Sequence, residues 1–599
     1  MAKKKVTAKK KQKLPTWDLS HLYSGIEDRI IARDMAHIAK ESTAFTKDYQ
    51  KKIKSLNALA LAEAIKRYEK LSDTMGKLGS YAQLLYAGDM SDSAITQFYQ
   101  NTSEALSSHS SKLVFFTLEL NALSDEQLSK HFKTSNIIAH YKPWLAAIRS
   151  YKPYQLSDAL ERFIHENSVT MQSWTRLYDE SSARLEFTIK GKKLANAEVF
   201  DLLSGKDAKL RKLAAKEIAR VYTANAPLYT LITNTLAKAK QIEDDTRKFL
   251  RPISSRNISN QVEDEVVDAL ISTVKANYKK LSHRYYAWKA KQFGKKKLDY
   301  WDRNAPLPKM VDGNIPWPKA VDTVMDAYEI FSPTMADIGQ QFFEGDWIDV
   351  PARKSKASGA FAHPTVPSAH PYLLLNYLGK TRDVMTLAHE LGHGVHQVLS
   401  ASQGALMCDT PLTLAETASV FGEMLTFQSM LSQEKDKKKR RAMIASKVED
   451  MLNTVVRQIA FCEFERMVHD ERKTGELYTK RIGEIWMQVQ GESLGPAIQL
   501  YPEYSVYWMY IPHFIHTPFY VYAYAFGDCL VNSLYGVYQK EKEAGRGVAF
   551  ADKYVDMLAA GGTLRHKELL KPFGMDASKA DFWQQGLNVI SNYIDELVS

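Results

Sequence analysis

The chain has 599 residues, of which 45% are hydrophobic, 11% aromatic and 25% charged. That balance is globular, and the length exceeds what one simple core supports, so two or more lobes are expected. No apolar run of about 18 residues occurs, so no membrane-spanning helix is expected, and the formal charge of +11 needs a local explanation.

The N-terminus supplies that explanation. Residues 1–14 carry seven Lys and no apolar stretch of the kind found in a secretory signal. A disordered, solubilising basic tail is expected there; contact with nucleic acid or an anionic surface is the competing reading. The remaining chain is close to charge balance, so nucleic acid is not an expected partner. Cys408, Cys462 and Cys529 are odd in number and far apart, which fits neither a disulfide framework nor a zinc ribbon. A reducing, cytoplasmic setting is therefore expected.

Helical periodicity dominates the chain after this tail. Leu59–Leu71 and Ser93–Leu123 are long amphipathic stretches, and the pattern continues to about residue 250 with a turn at Lys190–Lys192. An N-terminal helical domain is expected over 15–200. The texture changes from Asp346 to Tyr377, where Pro breaks, small residues and a β-like run predict a small antiparallel sheet. An exposed edge of that sheet could bind an extended peptide backbone, and Gly359, Ala360 and Phe361 would let a second backbone approach. A plain connecting hairpin is the alternative.

Residues His389–His396 read HELGHGVH. His389 and His393, at i and i+4, face the same way on a helix and can hold one zinc ion. Glu390 stands beside them, where a carboxylate can act as general base toward a water molecule. Val384, Leu387, Leu391, Val395 and Val398 form an apolar stripe away from these histidines. His396 lies roughly 10 Å along the axis from His389 at 1.5 Å per residue, too far to join them. The third ligand is expected from the next helix, begun by Thr410 and Pro411 as N-cap and first position. Glu416 sits there among Leu414, Ala415, Ala418, Val420 and Phe421, where burial is costly without a facing positive charge. Glu423 shares its face and is expected to orient a ligand His through a hydrogen bond. Residues 501–526 then bring seven Tyr with His513 and His516, of which Tyr520 and Tyr524 share a helix face. Such hydroxyls can donate to an oxyanion or merely pack in a core.

Together these segments resemble the thimet-oligopeptidase-like metallopeptidases, family M3, and most of all the oligoendopeptidase F branch. HELGHGVH followed by LAETASVFGE carries the resemblance. WDLSHLYSG at Trp17–Gly25, PYLLLNYLG at Pro371–Gly379, IPHFIHTPFYVYAYAFG at Ile511–Gly527 and FWQQGLNVI at Phe582–Ile590 agree with it. The spacing to Glu416 departs from the thermolysin type, which places an Asp where Val420 stands. The resemblance implies a mainly α fold, two helical lobes around a deep substrate channel, with the small sheet beside the zinc helix. It implies a catalytic domain over 201–599, one zinc ion per chain, and short unfolded peptides as substrates. It also implies that His513, Tyr520 and Tyr524 stabilise the oxyanion and that Gly359–Phe361 contact substrate. The expected activity is zinc-dependent cleavage of internal peptide bonds. Two alternatives stand beside it: a zinc carboxypeptidase of the same architecture, and a basic nucleic-acid-binding protein with a vestigial site.

Overall fold

Apolar residues at helical spacing, begun by side-chain caps, make the first part of the chain three long helices. They are α1 (Arg29–Tyr49), α2 (Ala58–Gly88) and α3 (Ser93–Ser111). Asp28, Asn57 and Asp92 each accept a backbone N–H of the first turn, satisfying donors that the helix itself leaves free. The computed structural model describes residues 14–308 and 314–599, so the expected basic tail lies, Leu14 apart, outside the described residues. Ile38, Phe45, Leu61, Ile65, Leu78, Phe116 and Leu120 form the centre of a first apolar core built from residues 19–145. From later in the chain Tyr372 and Met407 enter it, and the partly buried Trp347, Phe361, Ala369 and Leu406 pack against it.

A second, larger core runs from Tyr178 to Leu597. Helix α4 (Asp158–Ala183) leads into a hairpin of β1 (Phe187–Ile189) and β2 (Lys192–Leu194). Lys190 (φ 49°) and Gly191 (φ 78°) make the expected turn. Leu185, Phe187 and Val199 precede residue 201 yet pack in this larger core. Helix α5 (Ala208–Arg247), α6 (Trp317–Phe331) and α7 (Pro333–Glu344) lie before the sheet. The chain is mainly helical and its sheets are small, as expected.

The segment 346–377 forms β3 (Ile348–Pro351), β4 (Phe361–His363) and β5 (Tyr372–Tyr377), in the order β3-β5-β4. Strand β4 is antiparallel to β5, with Phe361 opposite Leu374 and His363 opposite Tyr372. Strand β3 is parallel to β5, so the sheet is mixed and not antiparallel as expected. Side-chain alternation reveals which face is buried but not strand direction, and the long connection from β3 to β5 permits the parallel return. The outer edge of β3 is occupied: Val350 N donates to Pro15 O at 3.1 Å and Asp18 N to Asp346 O at 2.7 Å. Strand β4 is the other edge.

After the sheet come α8 (Thr381–Ser400), α9 (Thr417–Gln433), α10 (Lys437–Thr454), α11 (Val456–Arg472), α12 (Tyr522–Glu543) and α13 (Ala580–Val598). Rings of Phe526 on α12 and Trp583 on α13 meet edge to face at 4.9 Å.

The sheet is pinned by one buried cation. Lys356 Nζ donates to Asp349 O (2.9 Å), Asp349 Oδ1 (3.0 Å), Pro351 O (3.0 Å) and Leu375 O (2.5 Å), joining β3 to β5. Asp349 is 1% exposed and keeps only Arg353 if Lys356 is removed. Breaking a buried pair from one side costs about 3–5 kcal/mol. Lys356→Met is therefore expected to lower the urea midpoint of unfolding clearly. An unchanged midpoint would show that the cation does not pin the sheet.

Candidate metal centre

The site is built on α8. Val384, Leu387, Leu391 and Val395 are fully buried, so the apolar stripe fixes which way the helix faces. His389 and His393 then emerge on the other side with their rings 4.9 Å apart. The Asp383 carboxylate accepts Leu378 N and Lys380 N and fastens the start of the helix to the end of β5.

Gly392 sets how closely the next helix approaches. A Cβ there would lie 2.5 Å from Ala418 O and 2.7 Å from Ser419 Cα, so α8 and α9 touch backbone to backbone. The expected single helix from Thr410 is interrupted: Pro411 is the N-cap of a short turn, Leu412–Ala415, and Glu416 (φ −77°, ψ 0°) is the break before α9. The break lets Glu416 turn its carboxylate toward α8. On its far side Gly527 of α12 leaves room, since a Cβ there would meet Glu416 Cβ at 3.1 Å.

Glu416 Oε2 lies 3.4 Å from His389 Nε2 and 3.5 Å from His393 Nε2. Among the described residues these three form the one set of such donors gathered within 4.8 Å. Donors about 2.0–2.1 Å from a tetrahedral ion sit roughly 3.3–3.4 Å apart, so the set fits a metal and leaves a fourth position for water or substrate. Ser419 Oγ donates to Glu416 Oε2 at 2.8 Å and steadies it. Burial lowers the basicity of His393, which keeps its ring in the neutral form a metal needs. His396 is buried, pushed down to about 4 by burial and by His393, and lies outside the set.

Behind His389 stands a chain of charges. Glu423 Oε2 is 3.5 Å from His389 Nδ1, and Glu423 Oε1 is 2.5 Å from Lys447 Nζ on α10. Burial would raise the Glu423 carboxyl, but Lys447 and His389 outweigh it and hold it down to about 2. Asp450 and Asp528 complete the surroundings of Lys447, pushed up by burial to about 6 and about 7. Lys447 and Ser419 were not anticipated from sequence. The one signal for Lys447 was its place among Ile444, Ala445, Val448 and Met451, a buried helix face that demands a carboxylate.

Glu390 faces the sheet. It is 7% exposed, and the backbone amide of Ala362 in β4 acts to lower its carboxyl. Burial raises it to about 7, with His389 opposing and Glu416 adding. Gly359 (φ 83°) precedes β4, has open space where a Cβ would stand, and its carbonyl accepts Asn376 Nδ2 at 2.8 Å. Gly359, Ala360 and Phe361 thus run into the edge strand beside the general-base candidate.

The C-terminal cluster also assembles. His513 Nε2 is 3.2 Å from Tyr524 OH, the rings of His513 and Tyr520 stack at 6.0 Å, and Tyr520 meets Tyr524 edge to face at 5.2 Å. Burial raises Tyr524 to about 12, and both Tyr520 and the Glu416 charge add to this; Tyr524 lies one turn before Gly527, where α12 packs on Glu416. Tyr522 is fully buried and its hydroxyl accepts Asn260 Nδ2 at 2.9 Å, so it belongs to the core. His516 is turned away and meets Asp179 at 2.8 Å.

Comparison with known proteins agrees with this geometry. The model of peptidase family M3 matches residues 202–589, and that of oligopeptidase F matches residues 119–187. The oligoendopeptidase F homolog of Borreliella burgdorferi is 26% identical over 590 residues, covering 97% of each chain. Oligopeptidase PepF of Bacillus subtilis is 23% identical, covering 90% of this chain and 80% of that one. A solved Chlamydophila abortus structure superposes with a TM-score of 0.86 at 22% identity over 97% of each chain. Oligoendopeptidase-F from Enterococcus faecium gives 0.70 at 20% identity, over 95% of this chain and 98% of that one. A matching helical fold, a family model covering most of the chain and a His-His-Glu donor set converge: the chain belongs to peptidase family M3 and is a metallopeptidase of the oligoendopeptidase F type that acts on peptides.

Proposed function

We propose that the chain cleaves internal bonds of short, unfolded peptides at one zinc ion held by His389, His393 and Glu416. The carrying observation is that α8 offers both metal donors on one side and a buried carboxyl, Glu390, against the edge of a strand. A zinc ion bound there would acidify a water molecule and polarise the scissile carbonyl. Strand β4 and Gly359–Phe361 would hold the substrate backbone as an added strand, placing one peptide bond between Glu390 and the donor set. Glu390 would take the proton of the attacking water and deliver it to the leaving nitrogen. His513, Tyr520 and Tyr524 would donate hydrogen bonds to the oxygen that becomes negative. Glu423, neutralised by Lys447, would fix the His389 ring so that Nε2 points at the ion.

Digestion of a mixed peptide library with amidated C-termini, read by mass spectrometry with and without chelator, tests this reading. Internal cuts that stop with chelator and return with about one zinc per chain are expected. Products released only from free C-termini would instead favour a carboxypeptidase. In the same assay Glu390→Gln should retain the metal while turnover falls about 10²-fold or more. Wild-type turnover in that variant would remove Glu390 from the role of base.

The hydroxyl donors are tested separately. Tyr524→Phe removes one oxygen and almost no volume, so kcat should fall by about 10²–10³ with KM little changed. Tyr522→Phe should turn over like the wild type, because its hydroxyl is used inside the core. If Tyr520→Phe and Tyr524→Phe both match the wild type, the tyrosines are packing residues.

A further inference from the structure

Eight non-glycine residues among those described have positive φ, and seven of them are polar or charged residues that are at least partly exposed. The eighth is Phe519 (φ 61°), which is fully buried. A left-handed backbone is disfavoured for any residue with a Cβ and most of all for a bulky one, so something must hold it. Phe519 lies in the turn that joins the short helix His513–His516 to α12. Its two ends carry His513 on one side and Tyr520 and Tyr524 on the other.

Four neighbours surround the turn. Phe519 N donates to Glu465 Oε1 of α11 at 2.8 Å. Arg256 Nε donates to the adjacent Pro518 O at 3.2 Å. The Phe519 ring sits 5.0 Å from that of His469 and 6.0 Å from Lys240 Nζ. Glu465 is the unusual member. It is 2% exposed, has no ion pair among the described residues, and its Oε2 has no hydrogen-bond partner there. Burial pushes its carboxyl up to about 8, despite the Phe519 N–H, Arg256 and Lys240. An apolar side chain would pack as well but would strand the Phe519 N–H in the core.

We propose that Glu465 is a positioning residue: by accepting the Phe519 N–H it locks the left-handed turn that sets Tyr520 and Tyr524 against His513 at the metal centre. This rests on the reading of those tyrosines as hydrogen-bond donors to the reacting oxygen. Glu465 itself does not touch substrate. Release of the turn would move the hydroxyls, and a displacement near 1 Å at such a group lowers rate without abolishing binding.

The test uses the full metal-loaded chain and one quenched peptide. Glu465→Met should lower kcat about 10- to 100-fold, with KM and metal content near wild type and faster hydrogen exchange at the Phe519 amide. Glu465→Gln keeps an acceptor oxygen and should restore both kcat and slow exchange. In a Tyr520→Phe/Tyr524→Phe background Glu465→Met should cost little more, because the hydroxyls it positions are already gone. A wild-type kcat in Glu465→Met, or an equal loss in both backgrounds, overturns the proposal. If Glu465→Met does not fold, Arg256→Met carries the same test. It should lower kcat in the wild type and not in the Tyr520→Phe/Tyr524→Phe background, and an additive loss overturns the role. The double change Tyr520→Phe/Tyr524→Phe separates the failures: if it is silent, the donor reading falls and the positioning role falls with it. If it lowers kcat while Glu465→Met does not, only the positioning role is lost.

Discussion

Helices α8 and α9 touch backbone to backbone at Gly392, and the site depends on that contact. Two histidines four residues apart can offer two donors, but a third must come from another element at a distance near 3.4 Å. A Cβ at position 392 would stand 2.5 Å from Ala418 O. Any side chain there would push α9 outward and carry Glu416, two residues before Ala418, away from His389 and His393. Gly527 gives the same permission on the opposite side of Glu416. The glycine between the histidines of HELGH is therefore a packing element, and the metal set is a consequence of how closely three helices approach.

Close packing also makes the electrostatics demanding. Glu390, Glu416 and Glu423 stand close together around His389 in a largely buried space. Lys447 answers Glu423 from α10, and Ser419 answers Glu416 from within α9. A cation at the donor set would answer Glu416 and pull the Glu390 carboxyl downward, toward the form a general base needs. The sheet edge supplies the last part, since the Ala362 amide of β4 acts to lower the Glu390 carboxyl. Charge, strand edge and donor set occupy one small volume because α8 lies directly under β4 and β5.

Local features of this arrangement were legible in the sequence. The i and i+4 histidines, the stripe from Val384 to Val395 and the turn at Lys190–Gly191 depend on neighbours a few residues away. Glu416 was legible because a carboxylate among apolar residues demands a positive partner, and the family resemblance carried the C-terminal cluster. The break at Glu416 was not legible, since it is imposed by the packing of α8 against α9 and has no local signature. Strand direction was missed for a similar reason: alternation in 346–377 looks the same for parallel and antiparallel neighbours. The contacts from Lys447 to Glu423 and from Glu465 to Phe519 join residues 24 and 54 apart in sequence. Only the fold brings them together.

The most direct measurement is the metal content of Gly392→Ala after dialysis, with circular dichroism as a control on folding. Alanine is the better helix former, so α8 itself should persist. Loss of most of the bound metal and of turnover in a chain that keeps its helical signal is the expected result. Full retention of about one metal ion per chain would contradict the claim that backbone contact at Gly392 sets the site.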